Sequence, residues 1–122
     1  MNSYNAPDVA KTLKMHWYYI LVSLAAGDRH GLAVAREVLA MSDGRVRLWP
    51  ATLYGALDEL CELGWIEELD DARRRPPDES EQRRFFRITR AGRAAVAAET
   101  NRLADLVRLA RARTKARAGE TT

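Results

Sequence analysis

Arginine is the residue type with the most chemical reach in this 122-residue chain. Arg73, Arg74 and Arg75 form a triplet, Arg83 and Arg84 follow a little later, and Arg45 and Arg47 alternate just ahead of Pro50. A guanidinium stays charged and presents a fork of donors that matches a phosphate, so arginines clustered this way suit a polyanion. Two hydroxyls stand beside the earlier pair, in the run Ala51-Thr52-Leu53-Tyr54-Gly55. Thr52 can bond a base edge or a phosphate and offer its methyl to thymine, and Tyr54 can donate to a phosphate. Plainer readings stand beside these: Thr52 caps a helix, Tyr54 packs against a strand, and the triplet is a solvated loop balanced by Asp70, Asp71, Asp78, Glu79 and Glu81.

Bond-making chemistry has little to stand on. His16 and His30 are isolated, no Cys or carboxylate group has metal-ligand spacing, and neither a glycine-rich phosphate loop nor a Ser-His-Asp set is present. Cys61 is the single cysteine, allows no internal disulfide, and falls in a leucine-spaced pattern that suits a buried small hydrophobe. The chain is expected not to be an enzyme and to need neither cofactor nor metal.

The elements that must position these residues are mostly helical. Leu13, Trp17, Ile20, Leu21 and Leu24 predict an amphipathic helix over 9–26, ended by Gly27 and Asp28. Leu32, Ala35, Val38 and Leu39 predict a second over 31–41, closed by Ser42, Asp43 and Gly44. Residues 45–48 suit a minor strand or an extended lead-in. Pro50 is preset for a first helical turn, and Leu53, Leu57, Leu60 and Cys61 carry a third helix to a left-handed stop at Gly64. Two β-prone runs, 65–69 and 84–89, flank a charged segment with Pro76 and Pro77, which predicts two strands joined by a long exposed loop. Thr89 is placed to cap a final helix over 90–116 by accepting the Gly92 amide, and 117–122 reads as a flexible tail.

Charge is uneven. The net charge is +3, but the first 69 residues carry 6 basic and 9 acidic groups, whereas the stretch from residue 85 onward carries 9 basic and 3 acidic. The N-terminal ten residues are polar and unlike a signal peptide, and the longest apolar stretch, 17–26, is shorter than the ~20 residues needed to span a bilayer, so a cytoplasmic location with no membrane partner is expected. A final helix of that length reaches ~40 Å at 1.5 Å per residue, more than the domain can cover, so its stripe of Val96, Leu103, Leu106, Val107 and Ala110 asks for a second chain, with packing on the first helix of its own chain as the alternative or the companion.

The order helix, helix, helix, strand, charged loop, strand, long helix is the plan of a winged helix-turn-helix, mainly α with a small β-wing. Three stretches resemble the PadR family of transcription regulators: His30-Gly31-Leu32; Ala51-Thr52-Leu53-Tyr54-Gly55-Ala56-Leu57 with Leu60 and Gly64-Trp65-Ile66; and Arg84-Phe85-Phe86-Arg87-Ile88-Thr89-Arg90-Ala91-Gly92. The chain departs from that family's pattern at Gly55, at Asp58 and at Trp49, which replaces a small polar lead-in. Asp58, Glu59 and Glu62 bring negative charge near the third helix, limiting the groove-facing stretch to its first turn.

The resemblance implies a DNA-binding domain over 1–89 and a dimerisation helix over 90–116. It implies contacts to double-stranded DNA from Ala51, Thr52, Tyr54 and Gly55 on the recognition helix, Arg45 and Arg47 before it, and Arg73, Arg74, Arg75 and Arg84 on the wing. It also implies a homodimer in which the last helix meets Leu13 and Trp17 of the partner's first helix, a palindromic operator with half-sites ~34 Å apart, and repression until a small hydrophobic or aromatic effector binds. Met15, Trp17, Tyr18 and Tyr19 are candidates to line the effector site, or to be core. The alternative is a winged-helix module that binds protein and not DNA.

Overall fold

Helix α1, Met15–Ala25, turns Ile20, Leu21 and Leu24 fully inward, the spacing that puts side chains on one helical face. It belongs to a computed structural model that describes residues 13–69 and 84–121, with side chains described to Lys115. The expected helix residues 9–12 and the arginines Arg73, Arg74, Arg75 and Arg83 lie outside the described residues.

A two-residue strand β1, Arg29–His30, leads into α2, Gly31–Met41. His30 caps α2, its Nδ1 accepting the Ala33 amide at 3.1 Å, which satisfies one of the amides that a helix start leaves without a partner. Helix α3, Pro50–Glu62, buries Leu53, Ala56, Leu57 and Leu60. It stops at Gly64, whose φ of +79° is the left-handed conformation expected of it. Strands β2, Ile66–Leu69, and β3, Phe85–Ile88, pair antiparallel from Ile66↔Ile88 to Leu69↔Phe85, and β1 closes the other edge of β3, giving the order β1-β3-β2. The minor strand therefore sits at Arg29–His30, not in 45–48. β1 reaches the free edge of β3 because Gly31 also donates to the Arg84 carbonyl at 3.0 Å, while 45–48 is an extended lead-in tied back by the Val46 amide on Ser42 Oγ.

Helix α4, Arg90–Thr121, opens as the sequence predicts: the Gly92 amide donates to Thr89 Oγ1 at 3.0 Å. The same hydroxyl donates to the Gly64 carbonyl, and the Thr89 amide donates to the Trp65 carbonyl, so one residue ties the end of α3 to the start of α4. Gly92 allows this approach, since a Cβ there would lie 2.0 Å from the Trp65 carbonyl oxygen. The helix runs to Thr121, beyond the expected end at 116, because alanine and arginine dominate its last turns and both favour helix. At 32 residues it is ~48 Å long. Its first half lies on α1, where the Tyr18 hydroxyl bonds Thr100 at 2.7 Å and Val96 packs on the core. Leu103 is half-buried, and beyond it Leu106, Val107, Leu109 and Ala110 are exposed.

Leu13 and Trp17 are covered within the one chain. Leu13 belongs to the core, and Trp17 packs edge-on against Trp65 with ring centroids 6.3 Å apart.

Candidate nucleic-acid interface

With Leu53, Leu57 and Leu60 turned inward, α3 leaves Ala51, Thr52, Gly55, Asp58 and Glu59 exposed on its outer side. Thr52 makes no side-chain hydrogen bond to another described residue. The N-cap is Trp49, without a side-chain cap, and Pro50 follows it at the first helical position. The head of α3 thus presents a free hydroxyl and a helix start whose first amides no side chain satisfies.

Tyr54 faces the other way. Its ring lies on Gly31, where a Cβ would come within 2.7 Å of the Tyr54 hydroxyl oxygen, so the glycine at the start of α2 is what lets α3 approach. The Arg84 guanidinium lies 5.5 Å from the Tyr54 ring centre and 5.3 Å from that of Phe86. Tyr54 is therefore the packing residue at the elbow between α2, α3 and β3, with its ring half-buried.

Arg84, expected on the wing's DNA face, is engaged within the chain. It donates to both oxygens of Glu68 at 2.9 and 2.8 Å and to Asp58 at 3.0 Å. The Glu68 hydrogen bonds, followed by the Asp58 bond, raise its pKa further above an already high value, so it is a permanent cation in a carboxylate clamp. This neutralises Asp58, the acidic residue that sets α3 apart, and Glu59 lies 3.9 Å from Lys14.

The other arginines sort into two groups. Arg29 pairs with Glu37, Arg87 with Asp28, Arg102 with Glu99 and Arg108 with Asp105. Arg36, Arg45 and Arg47 are exposed and bridge no carboxylate among the described residues, and neither do Arg90, Arg93, Arg111 and Arg113 along α4. Arg36 and Arg47 line a shallow groove between α2 and the lead-in with Leu32, Ala35, Leu39 and Leu48. Arg47 lies 5.3 Å from the ring centre of Trp49. Arg36 and Trp49 were not among the expected contacts. For Arg36 the signal was present, since buried Val34 and Val38 fix the opposite face of α2 as the inner one.

The sequence matches the model of the transcriptional regulator PadR-like family over residues 20–98, more than half of the chain. The chain belongs to the PadR-like family of transcriptional regulators. Solved structures of similar fold include a transcriptional regulator from Clostridium thermocellum, at TM-score 0.63 and 22% identity over 76% of this chain and 84% of that one. RosR of H. salinarum aligns at TM-score 0.62 and 22% identity over 92% and 97%. A winged-helix DNA-binding protein from STIV aligns at 0.61 and 17% over 80% and 96%. These likenesses fix the fold as a winged helix. No curated protein sequence matches the chain.

As a PadR-like protein the chain is a regulator and not an enzyme. Burial, with Lys14 next, lowers the His16 pKa, and burial with Glu68 and Asp58 raises that of Cys61, so the thiol stays protonated and unreactive at neutral pH. No group of metal-binding side chains occurs among the described residues, and no helix there is long and apolar enough to cross a membrane. The four first-helix residues expected around an effector are separated: Met15 is exposed, Trp17 meets Trp65, Tyr18 bonds Thr100, and Tyr19 packs on the core. The Trp17 indole N–H is buried and has no hydrogen-bond partner among the described residues.

Proposed function

We propose that this PadR-like regulator binds double-stranded DNA in a sequence-specific manner as a cytoplasmic homodimer, and represses transcription until a small hydrophobic or aromatic molecule releases it. The observation that carries the DNA-binding part is the placement of unpaired cations ahead of α3: Arg45 and Arg47 in the lead-in, and Arg36, which lines a groove with Arg47, bridge no carboxylate among the described residues. Unpaired exposed cations around an uncapped helix start suit phosphates, and Thr52, with Ala51 and Gly55 beside it, is left to meet base edges. Arg73, Arg74 and Arg75 would add wing contacts. Tyr54 and Arg84 serve the interface by holding α3 against β3.

The dimer would form on α4, where Leu106 and Val107 are 52% and 46% exposed on a helix that outruns its own domain. Leu103 and Ala110 lie on the same stripe, whereas Val96, Leu13 and Trp17, expected at the interface, are taken up by the chain's own core and leave the partner to the exposed half of α4. Two-fold pairing there predicts a palindromic operator. An effector that separates α4 from α1 would act through Trp17, Tyr18 and Tyr19, with Met15 at the rim; the unpartnered Trp17 N–H supports a polar group on that ligand.

The test is the salt dependence of DNA affinity in Arg45→Ala, Arg47→Ala and the double variant. Each lost phosphate contact should reduce the slope of log affinity against log salt by about one. Affinities and slopes equal to those of the unaltered protein would remove the α3 head from the interface.

A further inference from the structure

We infer that Trp49 is itself a DNA contact, an apolar one, whose free indole face packs on the deoxyribose and thymine-methyl edge beside the bases that α3 reads. The inference rests on the DNA-binding reading above and adds a component that the arginines cannot supply.

Trp49 is 64% exposed, the most exposed large hydrophobic residue described, whereas Trp17 and Trp65 are half-buried against one another. Its place is fixed. It is the N-cap of α3, with φ −72° and ψ 156°, and its carbonyl accepts the Leu53 amide at 2.8 Å. The Pro50 ring independently confines the residue before it to this extended region. A large apolar ring is thus held at a rigid point at the head of the proposed recognition helix, where local backbone sterics alone would accept a small polar residue.

The surroundings select the occupant. The Arg47 guanidinium covers the indole at 5.3 Å, and neither Arg47 nor Arg45, two residues earlier in the same lead-in, bridges a carboxylate among the described residues. An apolar protein surface seated on Trp49 would desolvate these cations without compensation. A duplex neutralises them with phosphates and offers, between the phosphates and the base edges, the apolar sugar and the thymine methyl that a ring can cover. The indole N–H remains available to a phosphate oxygen.

The experiment uses the full chain and a duplex selected by it from a random pool, with Trp49→Phe and Trp49→Ala as variants; Trp49 lies outside the core, and thermal melts check that both fold. On binding DNA, the unaltered protein should show tryptophan emission newly shielded from acrylamide, and Trp49→Phe should lose that change while Trp17 and Trp65 still emit. Trp49→Ala should bind roughly tenfold more weakly, the scale of a buried interfacial tryptophan, with the salt slope unchanged because no charge is lost. Equal affinity of Trp49→Ala and shielding that persists in Trp49→Phe would overturn the inference and leave DNA binding standing. If the unaltered protein enriches no duplex, the reading beneath the inference falls, and the inference with it.

Discussion

Replacing Arg84 by alanine should destabilise the domain and weaken DNA binding, although the residue itself faces carboxylates and not phosphate. The guanidinium makes a two-pronged bond to Glu68 and a single bond to Asp58, with side chains 29%, 37% and 60% exposed for Arg84, Glu68 and Asp58. With solvent screening taken into account, the Glu68 pair contributes about 1 kcal/mol and the Asp58 pair at most about 0.5. Lying over Tyr54 and Phe86 adds about 0.5 kcal/mol for each ring. Side-chain freedom regained on truncation offsets roughly 1 kcal/mol. The net loss is then about 1.5 kcal/mol, a fall of roughly 5 to 8 °C in melting temperature for a chain of this size. Truncation also bares the Asp58 carboxylate on the outer side of α3, which should weaken DNA binding several-fold at low salt and less at high salt. Adding Asp58→Asn to Arg84→Ala should restore affinity but not stability, since the Arg84 bonds to Glu68 stay broken. The assays are thermal unfolding by circular dichroism and fluorescence anisotropy with the selected duplex. A melting temperature unchanged within about 2 °C, or an affinity that Asp58→Asn leaves where it was, would refute the clamp.

Gly92→Ala would drive a methyl to 2.0 Å from the Trp65 carbonyl, forcing apart the Thr89 link between α3 and α4; a loss of about 3 kcal/mol in urea unfolding is expected, and a loss below about 1 would contradict it. Burial and Lys14 lower the His16 pKa from its ordinary 6.5, so the folded state takes up that proton less readily than the unfolded chain. Its contribution to stability is intact above pH 6.5 and is lost as pH falls from there toward the folded value; His16→Gln should flatten that part of the stability profile, and an unaltered profile would exclude the residue. Leu106→Asp, at a position 52% exposed in the single chain, should leave the fold intact and give a monomer by light scattering, whereas a persistent dimer would move the interface elsewhere.

Much of the fold was legible because its signals are local. Pro50 and Gly64 bracket α3, alternating Phe86 and Ile88 mark β3, and Thr89 with Gly92 spells the cap of α4. What escaped depends on residues distant in sequence. Strand β1 has only two residues and no periodicity of its own; it exists because β3 offers an edge more than fifty residues later. Arg84 looks like a wing cation until the register of β2 and β3 brings Glu68 beside it and α3 supplies Asp58. Tyr54 reads as a free hydroxyl until α2 arrives with a glycine under its ring. In the candidate site, Thr52, Arg45 and Arg47 were legible from position and spacing, and the outer face of α2 could have pointed to Arg36, whereas Trp49 gained meaning only when its ring was seen exposed beside Arg47.

Sequence-specific DNA binding meets its most direct test in selection of bound duplexes from a random pool at moderate salt, followed by the salt slope of affinity for the winner. A palindromic site bound with a steep slope is predicted, because two copies would each bring Arg36, Arg45 and Arg47 to phosphates. Failure to enrich any duplex, or binding indifferent to salt, would contradict DNA recognition and turn attention to a protein partner.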